Sequence, residues 1–141
     1  MPGWSIRTAT RADVRSVLDL WEGAGGPASV TDTPEAISLL LETHPGSLLV
    51  AESGGVVIGS LIAGWDGWRG CFYRLAVDPR RRRAGVAAAL VREGERRLRE
   101  RGAIRLTAIV ADEQAAAISF WEAAGYERQR DRMRFVRAAR E

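Results

Sequence analysis

At 141 residues the chain has the length of one domain able to bury a proper core, and 46% hydrophobic with 28% charged residues is ordinary for a soluble globular protein. The net charge is +3 and the 21 cations are all arginine; most alternate with glutamates along helical stretches, which disfavours a nucleic-acid surface. No run approaches ~20 apolar residues, no charged-then-apolar leader opens the chain, and the single cysteine, Cys71, excludes an internal disulfide or a cysteine-metal cluster. The expectation is a single cytoplasmic domain over 1–141 with neither metal nor membrane attachment.

Ser5–Thr8 alternates as a short strand. Thr10 and Asp13 have capping-box spacing before a helix whose apolar side is Val14, Val17, Leu18 and Trp21, ended by the loop from Gly23 to Pro27. Thr33-Pro34-Glu35 starts a second helix, with Ile37, Leu40 and Leu41 inward and Pro45-Gly46 at its end. The sole histidine, His44, falls in that closing loop and reads as an exposed residue rather than a base. Ser47–Glu52 and Val56–Gly64 are apolar strands around Gly54-Gly55, and Asp66-Gly67 turns the chain into a further strand over Cys71–Val77. Cys71 reads as a small core residue.

After the Asp78-Pro79 turn and the arginines at 80–83, helical spacing begins at Val86, with Leu90, Gly94 and Leu98 inward and Glu93/Arg97 and Glu95/Arg99 as i,i+4 pairs outside. Gly102 caps that helix, Arg105–Val110 is a strand, and Asp112 opens a helix through Ala124. Tyr126–Gln129 and Arg132–Val136 read as closing strands. The predicted order is βααβββαβαββ.

The junction at 78–90 is where chemistry fits. A helix start leaves about four amides unpaired and carries roughly half a positive charge. Gly85 with the small Ala84, Ala87 and Ala88 lets a ligand approach that backbone, and four arginines raise the potential. A polyanion such as a pyrophosphate suits such a place. Two familiar phosphate loops are absent: there is neither G-x-x-x-x-G-K-[ST] nor G-x-G-x-x-G.

Arg82-x-x-Gly85-x-Ala87 resembles the Q/R-x-x-G-x-G/A loop of the GCN5-related N-acetyltransferase superfamily, which binds the pyrophosphate of acetyl-coenzyme A. One strand later, the run from Gln114 to Tyr126, with Ala117, Phe120, Trp121 and Gly125, is similar to that family's N-x-x-A-x-x-F-Y-x-x-x-G-F/Y. The likeness covers nearly the whole chain, and Asp66-Gly67-Trp68-Arg69-Gly70 resembles small stand-alone bacterial members. It implies an α/β (α+β) fold: a mixed, mostly antiparallel sheet of about seven strands with about four helices, splayed between strands four and five. It also implies acetyl-CoA as acyl donor. Backbone of Leu75, Ala76 and Val77 would pair with the pantetheine arm, and an amide near Ala76 or Val77 would polarise the carbonyl. Amides from Arg82 through Arg83, Ala84, Gly85, Val86 and Ala87 would hold the pyrophosphate. Gln114 and Trp121, at the signature's asparagine and tyrosine positions, would lie along the cofactor.

Two positions depart from the family pattern. The tyrosine that protonates the leaving thiolate in many members is replaced by Trp121, whose indole is no general acid near neutral pH. Tyr126 occupies the place of a packing aromatic. A glutamate common two residues before Leu75 is replaced by Tyr73. Asp66, Asp32 and Glu35 are the carboxylates within reach on loops; Asp66, between Trp65 and Trp68, is the chosen base against a plain turn role, and Tyr73 is a candidate proton relay. The leading expectation is an N-acetyltransferase acting on a primary amine of a small molecule or peptide by direct attack in a ternary complex, as monomer or homodimer. The alternative is a non-catalytic acyl-CoA-binding module of the same fold; nucleic-acid binding through 80–83 ranks third.

Overall fold

A computed structural model describes residues 3–25, 28–111 and 114–139. Its strands are β1 (Ser5–Thr8), β2 (Leu48–Ser53), β3 (Val56–Trp65), β4 (Gly70–Val77) and β5 (Leu106–Ala108); its helices are α1 (Val14–Ala24), α2 (Pro34–Thr43), α3 (Val86–Arg101) and α4 (Ala115–Ala123). The five strands form one sheet in sequence order, antiparallel from β1 to β4 and parallel between β4 and β5. A parallel neighbour needs a crossover, and α3 is that crossover.

Both sheet faces are covered. Leu48 and Val50 of β2 face Val17, Leu20, Trp21 and Ile37 of α1 and α2. Leu49 and Ala51 face the other way, onto Val86, Leu90, Val91 and Leu98 of α3 and Trp121 of α4. A strand buried on two sides has no polar face, which is why 48–51 reads as an unbroken apolar run. Helix α3 lies unusually close to the sheet because glycines stand at the contacts: a Cβ on Gly59 would sit 2.9 Å from Val86 Cγ1, and one on Gly94 2.8 Å from Phe72 Cε1.

The helix starts follow their capping residues. Thr33 Oγ1 accepts from the Ala36 amide at 3.1 Å with Pro34 in the first turn. The Thr10/Asp13 box forms, but over a single 3₁₀ turn, Arg11–Asp13, that precedes α1. Asp13 is 7% exposed and takes two 2.8 Å hydrogen bonds from Arg7, and Arg7 also reaches Glu52 across the sheet edge. The Arg7 guanidinium holds the Asp13 carboxyl down at about 2, from 3.8. A depressed folded-state value contributes stability that is present above pH ~4 and disappears as pH falls toward ~2. Asp13→Asn should therefore cost about 2 kcal/mol at neutral pH and almost nothing near pH 2, as read by urea unfolding across that range.

Three expectations are corrected. Among the described residues there are five strands rather than about seven: 126–129 and 132–136 form none. Met133, Phe135 and Val136 stand 81%, 85% and 75% exposed, and a segment alternating them with arginines has no strand beside it to pair with. The Arg105–Val110 strand contracts to 106–108. Glu93 pairs with Arg97 and also Arg96, but Glu95 is claimed by the Tyr126 hydroxyl at 2.6 Å instead of by Arg99. Asp112, expected to cap the last helix, lies outside the described residues.

Candidate active site

Strands β4 and β5 pair only over Gly70–Phe72 with Leu106–Ala108, and a last 3.3 Å bond joins Ile109 N–H to the Phe72 carbonyl. Past that point β4 continues as Tyr73–Val77 with β3 on one side and, among the described residues, an open edge on the other. An open strand edge presents a row of main-chain donors and acceptors to whatever extended chain lies along it.

That edge is also bent. Ser60 opposes Ala76 while Ile62 opposes Tyr73, so Leu61 faces two residues, Arg74 and Leu75. Arg74 supplies the extra residue, with φ +54°. The bulge switches the phase of the strand: Phe72, then Leu75 and Val77, pack on the α3 side, and Ala76 on the α1 side. The geometry is tied down from below. The Arg74 carbonyl accepts from Ser60 Oγ at 2.9 Å, and Ser60 Oγ, fully buried, accepts from Trp21 Nε1 at 2.7 Å. The Arg74 guanidinium lies over the Trp21 ring and is gripped by both carboxylate oxygens of Asp32.

Beyond Val77 the chain makes a 3₁₀ turn at Pro79–Arg81, capped by Asp78, whose carboxylate accepts from the Arg80 amide and pairs with the Arg80 side chain. One of the four arginines is thus turned back on its own loop. Arg82, Arg83, Ala84 and Gly85 are exposed, and both Arg83 (φ +67°) and Gly85 (φ +82°) are left-handed. The first helical bond of α3 is Ala89 N–H to the Gly85 carbonyl at 3.1 Å, and no side chain caps this end. The amides of Val86, Ala87 and Ala88 therefore have no partner within the helix. Positive dipole end, arginines and uncapped amides lie together beyond the end of β4, a combination whose chemistry suits an anion.

Asp66 Oδ1 accepts from the amides of Arg69 (2.7 Å) and Trp68 (2.8 Å); these bonds lower its pKa, and the side chain is exposed. A carboxylate so engaged is a weaker proton acceptor, and both bonds are those of a turn aspartate. Trp68 is 68% exposed under Arg69, whereas Trp65 packs on the core. Tyr73 points outward, 41% exposed; its bond to the Cys71 thiol and partial burial push the hydroxyl up to about 12. Burial raises the Cys71 thiol, which keeps it protonated and a weak nucleophile. Trp121 is buried, stacked 5.7 Å from Phe72 and edge-on to Tyr126 at 4.9 Å, leaving little of it for a ligand to touch. The Tyr126 hydroxyl is committed to Glu95, and burial raises its pKa. Gln114 is exposed at the start of α4, and His44 ends α2 beside Thr43. Glu35 is exposed in the first turn of α2. Sequence reasoning missed Arg74, Ser60 and Trp21 as parts of the site. Only an arginine breaking the apolar phase of β4 signalled the bulge.

Residues 14–126 match the family model described as Acetyltransferase (GNAT) family. The chain belongs to the GNAT acetyltransferases. An acetyltransferase of Sodalis glossinidius is 36% identical over 124 residues, covering 88% of this chain and 87% of its own. One from Pectobacterium atrosepticum is 34% identical over 122 residues, 86% of each. The structure of Ard1 from Thermoplasma volcanium aligns with TM-score 0.79 and 25% identity over 87% of this chain and 82% of its own. AAC(6')-Iy, solved with the bisubstrate analog CoA-S-monomethyl-acetylneamine, shares the fold at TM-score 0.75 and 21% identity over 96% and 97%. In this GNAT domain the described helices include none long and apolar enough to cross a membrane, and no group of three or more metal-ligating side chains stands together among the described residues.

Proposed function

We propose that this GNAT domain transfers an acetyl group from acetyl-CoA to a primary amine of a small molecule or peptide by direct attack in a ternary complex. The observation carrying this reading is the continuity of the open β4 edge, the 78–85 turn and the uncapped start of α3, which suits a long ligand ending in pyrophosphate. Acetyl-CoA supplies an activated thioester carbonyl. The main chain of Leu75 to Val77 accepts the pantetheine arm as an added strand, and an amide near Ala76 or Val77 donates to the acyl oxygen. Amides from Arg82 to Ala87, with the side chains of Arg82 and Arg83, hold the phosphates, and Gln114 contacts the arm.

The amine nitrogen forms the new bond to the acyl carbon as the carbon–sulfur bond breaks, and the proton lost by nitrogen balances the one gained by sulfur. An alkylamine of pKa near 10 is only about one part in a thousand free at pH 7, so its free-base fraction governs the rate when no side chain removes the proton. The test is a screen of amines and peptides with acetyl-CoA, reading thiol release. Against a substrate it finds, kcat/KM should rise about tenfold per pH unit from pH 7 toward the amine pKa. Tyr73, at about 12, stays protonated throughout and adds no falling limb below pH 10. Asp66→Asn, which keeps an oxygen for its turn, should leave this profile in place; a fall of at least tenfold in kcat/KM at pH 7, with a profile steeper than that of wild type, would return Asp66 to the role of base. The burial of Trp121 and the absence of an acid at its position favour one other reading, an acyl-CoA-binding module; tight coenzyme A binding without turnover across the screen would select it.

A further inference from the structure

The bulge in β4 is made by a residue type that resists it. Left-handed backbone is common for glycine and costly for a residue bearing a Cβ, so a non-glycine there persists only when its surroundings enforce it. Arg74 has φ +54° and is enforced from two sides. Its carbonyl is taken by buried Ser60, itself oriented by the Trp21 indole. Its side chain is taken by Asp32, from the loop that leads into α2. Asp32 in turn organises that loop: its carboxylate accepts from the Ser29 amide at 3.0 Å, and its own amide donates to the Ser29 carbonyl at 3.0 Å. The guanidinium and carboxylate are largely shielded, with side chains 24% and 16% exposed, so the pair is not the solvated surface contact that adds little.

We infer that Asp32 is a positioning residue: by gripping Arg74 from the loop before α2, it keeps β4 bulged and so aims the backbone of Leu75 to Val77 into the gap beside β5. Its consequence for turnover rests on the acetyl-transfer reading above; its consequence for backbone geometry does not. The loop ahead of α2 and the bulged strand are then one mechanical unit, and a change at 28–33 is felt in the main chain of β4.

Three variants separate this from a general structural role. Asp32→Asn removes the charged grip. Arg74→Ala removes it while keeping a Cβ, and serves as the second route should Asp32→Asn fail to fold. Arg74→Gly combined with Asp32→Asn removes the whole grip but accepts left-handed φ without a clamp. The Trp21 indole N–H, at the base of the chain of contacts, reports the geometry by hydrogen exchange in NMR, and initial rates report kcat. In Asp32→Asn and Arg74→Ala, indole exchange should speed at least tenfold and kcat fall at least tenfold, with affinity for adenosine diphosphate, which reaches only the α3 end, held within twofold. The double variant Arg74→Gly/Asp32→Asn should regain at least a third of wild-type kcat and slow indole exchange. Wild-type behaviour of Asp32→Asn, or a double variant as impaired as Asp32→Asn alone, overturns the inference. Were wild type to turn over no amine, the acetyl-transfer reading would fall, and the exchange comparison alone would decide the clamp.

Discussion

Gly85→Glu is expected to weaken coenzyme A binding at least a hundredfold while leaving the fold in place. Two effects add. Gly85 holds φ +82°, and any side chain there meets backbone strain of about 1 kcal/mol even though a Cβ would find nothing within 4 Å. The glutamate also sets a negative charge beside the start of α3, where the phosphates would lie; for a separation of about 5 Å, such a repulsion is roughly 3 kcal/mol per unit charge at an effective dielectric near 20. A carboxylate at a helix start is itself favourable to the helix, so the melting temperature should move by no more than about 3 °C. Gly85→Ala, with strain alone, should lose only about fivefold. Calorimetric titration of each variant separates the two contributions. Equal affinity in Gly85→Glu and wild type would place the nucleotide tail elsewhere.

The largest loss of stability is expected from Gly94→Val. Gly94 lies where α3 crosses β3 and β4, and a Cβ there would stand 2.8 Å from Phe72 Cε1 and 3.1 Å from Leu61 Cδ2, both in fully buried side chains. Phe72 cannot swing away, because Trp121 stacks on it and Tyr126 meets its edge. Close-packed interiors transmit such an insertion as strain, typically 1–3 kcal/mol, and a branched side chain belongs at the upper end. A cost of about 3 kcal/mol corresponds to a fall of roughly 10 °C in Tm for a chain of this size. Gly94→Ala should lose less, since alanine recovers about 1 kcal/mol of helix propensity. Thermal unfolding followed by circular dichroism checks both, and an unchanged Tm in Gly94→Val would mean that α3 sits farther from the sheet than the contacts state.

Much of this was legible from local chemistry. Thr33-Pro34 and Thr10/Asp13 announce their helix starts because capping is settled within four residues. The apolar run 48–51 marks a strand with both faces covered, and Arg82-x-x-Gly85-x-Ala87 marks the start of α3. What escaped depends on partners far along the chain. Glu95 has Arg99 at helical spacing, yet Tyr126, 31 residues on, takes its carboxylate. Arg74 looks like an ordinary strand residue until Asp32, 42 positions earlier, and Ser60 are seen to hold it. Asp66 sits between tryptophans as a base would, but its bonds run to its own turn. The 132–136 segment alternates like a strand, and alternation alone supplies no neighbour to pair with.

The most direct measurement is a coenzyme A titration followed by amide chemical shifts. Large perturbations should concentrate at Leu75 to Val77 and at Arg82 to Ala88, with little change across α1 and α2. Shifts confined to other surfaces, or none at saturating ligand, would contradict the assignment of the β4 edge and the start of α3 as the acyl-donor groove.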